Sequence, residues 1–125
     1  MQERGIDAIA DAVMGRYFHE GFRSVHPATV AKFRRRLVTT DAQGYIGCCA
    51  AVGGVDTTAR LGQIAVPTLV LAGELDQGTP VDMARTLADG IPDARLQVLA
   101  GASHLGAIEH SGAFAAAVTA FVDCL

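Results

Sequence analysis

Residues 66–76 have the sequence VPTLVLAGELD, an apolar run that ends in an acidic residue. From residue 66 to residue 72 the only polar side chain is that of Thr68, a pattern typical of a parallel β-strand covered on both faces. Such a strand lies inside a sheet, and the side chains that follow it are presented at its C-terminal end. We therefore predict a buried strand here that delivers Asp76.

A second, shorter run at residues 96–104, LQVLAGASH, ends in His104. His104 follows Asp76 by 28 positions, which leaves room for a loop, a helix and a strand. Such a crossover puts adjacent parallel strands with their C-terminal ends on one side, so we expect the two side chains to approach within about 2.6–3.2 Å. An acid that orients a histidine base belongs to a hydrolytic triad. Each residue taken alone has a simpler explanation, because an aspartate after a strand often caps a helix and a histidine in a loop often faces solvent. Glu74 is an alternative acid.

The sequence before residue 66 has helical patterns and no evident strand. Apolar residues recur at helical spacing from Ile6 to Tyr17 and predict an amphipathic helix that ends near Gly15. Pro27 is suited to the first turn of a second helix. Asp41 is suited to the N-cap of a third helix, which glycines at 53 and 54 would end.

After residue 66 strands and helices alternate. Thr79 is predicted to cap a helix that starts at Pro80 and ends at Gly90. Residues 95–99 form the second strand, and a last helix follows Ser111. Two parallel strands leave both edges of a sheet open, so we expect a further sheet or a partner to cover them.

Composition excludes several classes of function. Half of the 125 residues are hydrophobic and 18% are charged, which is unlike a disordered chain. The formal net charge of −3 and a longest basic run of three arginines, at 34–36, argue against a nucleic-acid partner. The three cysteines form neither a disulfide framework nor a spaced metal site, and no apolar run approaches the ~20 residues of a membrane span. A cytoplasmic protein without membrane contact is expected.

The segments PTLV at 67–70, GELDQGTP at 73–80 and GASHL at 101–105, the last followed by Glu109, resemble the C-terminal half of α/β-hydrolases. Within that family the chain is most similar to the 3-oxoadipate enol-lactonases, which open a lactone in aromatic-compound catabolism. The resemblance implies an α/β fold class, a partial α/β-hydrolase fold. Residues 1–62 would form a helical cap-like segment, and residues 63–125 would supply the last two parallel strands of the core and their helices.

The same resemblance implies that Asp76 and His104 are the catalytic acid and base, and that no cofactor or metal is needed. A serine from the missing half would attack the carbonyl of a small lactone or ester, and His104 would take its proton. Other α/β-hydrolases, such as esterases, epoxide hydrolases and C–C bond hydrolases, share these loops and remain alternatives. Substrate-binding residues are unknown, although the arginines at 34–36 are possible partners of a carboxylate substrate.

No residue of the chain is a convincing nucleophile. None of Ser24, Ser103 and Ser111 lies in a Gly-x-Ser-x-Gly turn after a strand. Cys48 and Cys49 follow a polar, helical segment, which favours packing of a cap helix over nucleophilic attack. A non-catalytic fragment or oligomerising module is therefore the competing class. In either case we expect a homo-oligomer or association with a missing N-terminal half.

Overall fold

A computed structural model describes residues 5–125 of the chain. Its elements, in chain order, are α1 (Asp7–Tyr17), α2 (Glu20–Val25), α3 (Pro27–Val38), α4 (Ala42–Gly53), a 3₁₀ helix (Thr58–Gln63), β1 (Thr68–Gly73), α5 (Val81–Gly90), β2 (Ala94–Leu99), α6 (Gly106–Glu109) and α7 (Ser111–Val122). Two compact units are present. One contains residues 5–15 and 20–56, and the other contains Arg16–His19 and Thr57–Leu125.

The first unit is helical, as its sequence pattern predicts. Pro27 occupies the first turn of α3, and the carboxylate of Asp41 caps α4 by accepting a hydrogen bond from the Gly44 N–H at 2.7 Å. Asp7 and Asp11 on α1 both accept hydrogen bonds from the Arg34 guanidinium of α3, at 2.9 and 2.7 Å. These charge-assisted contacts join two helices of the unit.

Two local predictions need correction, and two short helices were not predicted. The first helix does not end near Gly15 but continues to Tyr17, because a glycine inside a helix costs only about 0.5–1 kcal/mol. The short helices α2 and α6, of six and four residues, are too short for the spacing of apolar residues to reveal them. Thr79 does not cap α5, since Pro80 occupies the N-cap position.

The second unit is built on the two parallel strands. β1 pairs with β2 from Thr68 opposite Ala94 to Gly73 opposite Leu99, and α5, which connects the strands, packs against both. The apolar residues buried in this unit are Phe18, Leu61, Ala72, Ala84, Ile91, Leu99, Ala102 and Ala117. Ala72, Leu99 and Ala102 lie at or just after the C-terminal ends of the strands, which are therefore buried.

The prediction that the first strand is covered on both faces is wrong for this chain. Only Ala72 and Gly73 of β1 are buried, and Val66, which lies before the strand, is 62% exposed. The sheet of the described residues has two strands, so each strand has one edge without a β partner there. The apolar sequence is typical of an inner strand, whereas residues 5–125 contain no further strand that would flank it. Within residues 5–125, every helix is too short or too polar to cross a lipid bilayer.

Candidate active site

The C-terminal ends of β1 and β2 are held together by the main chain. The Glu74 N–H donates to the carbonyl of Leu99 at 3.0 Å, and the Leu75 N–H donates to the carbonyl of Ala102 at 2.8 Å. A Cβ at Gly73 would meet main-chain carbonyl oxygens of the second loop at under 3.0 Å. Glycine is needed here because the loops after the two strands approach so closely.

The two loops bring Asp76 and His104 into contact. Nδ1 of His104 lies 2.9 Å from Oδ2 of Asp76, and the Asp76 side chain is 6% exposed whereas that of His104 is 35% exposed. The hydrogen-bonding approach predicted from the sequence is therefore present. Glu74, the alternative acid, is directed elsewhere, since its carboxylate accepts a hydrogen bond from the Gly101 N–H at 2.8 Å.

The surroundings of Asp76 keep its carboxylate ionised. Burial acts to raise its pKa, but hydrogen bonds from the Thr79 N–H, the Thr79 hydroxyl, His104 and the Gly78 N–H outweigh burial, so that the pKa lies below its ordinary value. The Thr79 hydroxyl donates to Oδ2 at 2.7 Å, which explains why this threonine does not cap α5. Sequence reasoning missed this role of Thr79.

The ionised acid determines the state of the histidine. A carboxylate only accepts hydrogen bonds, so the neutral imidazole of His104 must carry its proton on Nδ1. The lone pair is then on Nε2, which is free to accept a proton. The pair thus has the arrangement of an orienting acid and a general base.

The imidazole of His104 is also covered by an aromatic ring. Tyr17 stacks on it with ring centroids 5.4 Å apart and an angle of 21° between the planes. Tyr17 belongs to the four-residue segment 16–19, which is part of the same unit as the two strands.

A cavity of about 550 Å³ opens beside the pair and is lined by residues that include Asp76, Thr79 and His104. This volume is within the range of pockets for small molecules. Most of its walls are apolar, and they are formed by residues of β1, α5, β2 and α7 among others: Val70, Leu71, Met83, Leu87, Leu99, Leu105 and Phe114.

Glu109 and Ser103 form a polar network behind His104. The Ser103 N–H donates to the carboxylate of Glu109 at 2.5 Å, and the Ser103 hydroxyl lies 2.8 Å from that carboxylate and 2.8 Å from the carbonyl of Tyr17. Glu109 also accepts a hydrogen bond from the His19 N–H at 2.5 Å. Ser103 is 4% exposed. Sequence reasoning excluded Ser103 as a nucleophile and gave Glu109 no role of its own.

The described residues contain no nucleophile elbow. The Ser103 hydroxyl is engaged by Tyr17 and Glu109, and Ser111 begins α7. Cys48 and Cys49 are exposed on α4, which no strand precedes in the described part of the chain. The triad-like arrangement within residues 5–125 therefore consists of an acid and a base.

The arginines at 34–36, which the sequence offers as possible partners of a carboxylate substrate, belong to the helical unit. Arg34 is paired with Asp7 and Asp11, which occupies its guanidinium, whereas Arg35 and Arg36 are exposed. No cluster of three or more potential metal ligands is present among residues 5–125.

Comparison with known proteins decides the family. A family model for the alpha/beta hydrolase fold matches residues 10–111. The chain belongs to the α/β-hydrolase family. The partial fold predicted from its sequence is therefore confirmed.

Several of the most similar relatives within the family are enol-lactonases. The 3-oxoadipate enol-lactonase 2 of Acinetobacter baylyi is 36% identical over 120 residues, which cover 96% of this chain and 45% of that protein. The 3-oxoadipate enol-lactonase 1 of the same organism is 28% identical over 125 residues, covering 100% of this chain and 47% of that protein. The crystal structure of the enol-lactonase from Burkholderia xenovorans matches with a TM-score of 0.93 at 34% identity, covering 98% of this chain and 46% of that chain. This α/β-hydrolase chain thus spans about half the length of these three relatives.

Proposed function

We propose that this chain supplies the acid and the base of a Ser-His-Asp hydrolase that opens a small lactone or ester, as a 3-oxoadipate enol-lactonase does. The observation that carries the proposal is the 2.9 Å contact between His104 Nδ1 and Asp76 Oδ2 at the ends of adjacent parallel strands. Similarity to enol-lactonases over nearly the whole chain supports the choice of substrate class.

In the proposed reaction a serine from the part of the enzyme outside this chain attacks the carbonyl carbon of the lactone. Nε2 of His104 takes the serine proton during the attack and returns it to the ring oxygen that leaves. His104 then takes a proton from water, whose oxygen attacks the acyl-enzyme and releases the carboxylic acid, and the serine regains its proton. No cofactor enters any of these steps.

Asp76 contributes by holding the tautomer and orientation of His104. Because its carboxylate accepts hydrogen bonds from Gly78 and Thr79 as well as from the imidazole, it is fixed in place before the substrate binds. A charge held in this way stabilises the imidazolium that forms when His104 takes a proton.

The proposal extends to the remainder of the chain. Residues 1–62 would act as a cap-like segment and residues 63–125 as part of the core, and the enzyme would be cytoplasmic. The unpaired edge of β1 would be covered either by the part of the fold that carries the serine or by a second copy of the chain.

A chimera tests the proposal. The segment of the A. baylyi 3-oxoadipate enol-lactonase 2 that matches this chain is replaced by this chain, and hydrolysis of the enol-lactone and of p-nitrophenyl acetate is measured. We expect turnover that falls by at least about 10⁴-fold in the His104→Ala variant, because the base of a triad is indispensable. The control is His26→Ala, which removes an exposed histidine.

Each outcome of the chimera experiment bears on the proposal. A folded chimera whose turnover is unaffected by His104→Ala would refute the role of His104. A folded chimera without turnover, while the parent enzyme is active in the same assay, would favour the non-catalytic alternative. That alternative is supported by one observation, the lack of a nucleophile elbow in residues 5–125.

A further inference from the structure

We propose that Glu109 is a positioning residue, which fixes the turn that carries His104 and seats the ring of Tyr17 against the imidazole. The inference rests on the proposed function of His104 as a base. It adds a residue that touches neither His104 nor Asp76 through any hydrogen bond among the described residues.

The first step concerns the main chain on either side of His104. The residues before and after it are both bonded to one acceptor, the carbonyl of Tyr17. The Ser103 hydroxyl lies 2.8 Å from this oxygen, and the Leu105 N–H donates to it at 3.0 Å. His104 is therefore held between two contacts to the segment 16–19.

The second step is the connection that Glu109 makes. One oxygen of its carboxylate accepts hydrogen bonds from the N–H and the hydroxyl of Ser103, and the other accepts from the N–H of His19. The carboxylate therefore joins the residue before His104 to the residue two positions after Tyr17. Only a group with two accepting oxygens makes both connections.

The third step is the partnership of Glu109 with Ser103. The hydroxyl of Ser103 has one proton and two accepting neighbours, the Glu109 carboxylate and the Tyr17 carbonyl. Ser103 is 4% exposed, so water has little access to replace a lost partner. Removing the acceptor at position 109 would leave the Ser103 N–H without its partner, whereas the hydroxyl still has the Tyr17 carbonyl. An unsatisfied donor in a buried residue is costly enough to move the turn.

A movement of this turn would change the position of the His104 imidazole. The 2.9 Å contact with Asp76 and the 5.4 Å stack on Tyr17 both depend on where the turn holds His104. Displacement of a catalytic group by about 1 Å lowers turnover by about 100-fold. Since Glu109 is not among the described residues that line the cavity, its effect on catalysis must pass through His104 and Tyr17.

The test uses the whole chain labelled with ¹⁵N and needs no catalytic activity. We compare the wild-type protein with Glu109→Gln, which keeps the size of the side chain but has one accepting oxygen. The control is Glu20→Gln, an exposed residue of α2. NMR measures the solvent exchange of the His104 Nδ1–H and the nuclear Overhauser contacts between His104 and Tyr17. Thermal melting followed by circular dichroism reports on the fold.

In Glu109→Gln we expect the Nδ1–H of His104 to exchange at least about tenfold faster, as for the loss of a hydrogen bond to a charged group. The contacts between the two rings should disappear, while a cooperative melt is retained. Glu20→Gln should behave as the wild-type protein does. Unchanged exchange and unchanged ring contacts in a folded Glu109→Gln protein would overturn the proposal.

A second variant covers the case in which Glu109→Gln does not fold. Ser103→Ala removes the hydroxyl but keeps the N–H that donates to Glu109, and we expect a smaller acceleration in the same direction. Exchange at the wild-type rate in folded Ser103→Ala would also overturn the proposal. In the enol-lactonase chimera, Glu109→Gln should lower kcat by about 10–100-fold with little change in KM.

These results separate the positioning role from the proposed function. If the chimera fails to hydrolyse the lactone but Glu109→Gln still speeds the solvent exchange of the His104 Nδ1–H, the positioning role of Glu109 is supported and the hydrolase proposal fails. If the chimera depends on His104 and neither variant changes the NMR signals, the hydrolase proposal stands and the role of Glu109 is refuted.

Discussion

Replacing Asp76 with asparagine changes the hydrogen-bonding character of the acid while keeping its shape. Asp76 accepts four hydrogen bonds, from His104, from the Gly78 N–H, and from the N–H and hydroxyl of Thr79. An asparagine has one accepting oxygen and an NH₂ group that donates. If the oxygen keeps the two N–H donors, the NH₂ group faces Nδ1 of His104. The imidazole must then accept there and carry its proton on Nε2.

Two magnitudes follow from this rearrangement. In the chimera, Asp76→Asn should lower kcat by about 10⁴-fold, the loss that the wrong histidine tautomer causes in a serine-protease triad. In the isolated chain, the free energy of unfolding should fall by about 2–3 kcal/mol, because charge-assisted hydrogen bonds to a carboxylate that is 6% exposed are lost.

The assays for Asp76→Asn are lactone turnover in the chimera and urea unfolding of the chain. The control is Asp89→Asn, which removes the charge of an exposed carboxylate on α5 and should change neither quantity beyond about 0.5 kcal/mol. A chimera in which Asp76→Asn retains turnover within tenfold of the parent would refute the tautomer reasoning.

The remaining predictions concern the chain as purified. The isolated chain should not hydrolyse p-nitrophenyl acetate above background, and turnover abolished by Cys49→Ala would contradict the exclusion of the cysteines. Gly73→Ala should lower the free energy of unfolding by about 2–3 kcal/mol, since its Cβ would meet main-chain oxygens at under 3.0 Å; Gly112→Ala, with nothing within 4 Å, is the control, and equal melts would contradict the close approach. The folded pKa of Asp76 lies below its ordinary value, so its contribution to stability should be complete at neutral pH and lost as pH falls below about 4. A loss of stability of the same size in Asp76→Asn over that pH range would contradict this assignment. Light scattering should detect self-association through the open edge of β1, and a monodisperse monomer with a sharp melt would refute this.

The parts of the fold that depend on local pattern could be predicted from the sequence. The apolar run at 66–72, the proline in the first turn of α3 and the cap at Asp41 each act over a few residues. The structure has the corresponding elements within two residues of the predicted bounds. The pairing of Asp76 with His104 could also be predicted, because a right-handed crossover leaves little choice about where two strands end.

The network around His104 could not be predicted in this way. Its contacts join Ser103 to Tyr17, 86 positions earlier, and Glu109 to His19, 90 positions earlier. The spacing of residues in the sequence does not indicate contacts between positions so far apart. The role of Thr79 was missed for a different reason, since capping a helix and bonding an aspartate draw on the same hydroxyl and only the geometry decides between them.

The exposure of β1 illustrates a third kind of limit. Its sequence is suited to the middle of a sheet, and burial of a strand depends on neighbours that the chain itself need not contain. In this chain Thr68–Leu71 are only half-buried. The pattern therefore predicted where the strand lies in the sequence but not its exposure in this chain.

The most direct test of the central claim, that Asp76 holds His104 ready to act as a base, is the tautomer of the neutral His104 ring, measured by ¹⁵N NMR on the wild-type chain. The 2.9 Å contact between Nδ1 and the carboxylate predicts the ¹⁵N shift of a protonated nitrogen at Nδ1 and that of an unprotonated nitrogen at Nε2. A proton found on Nε2 instead would mean that this nitrogen has no lone pair with which to accept a proton, and would contradict the account.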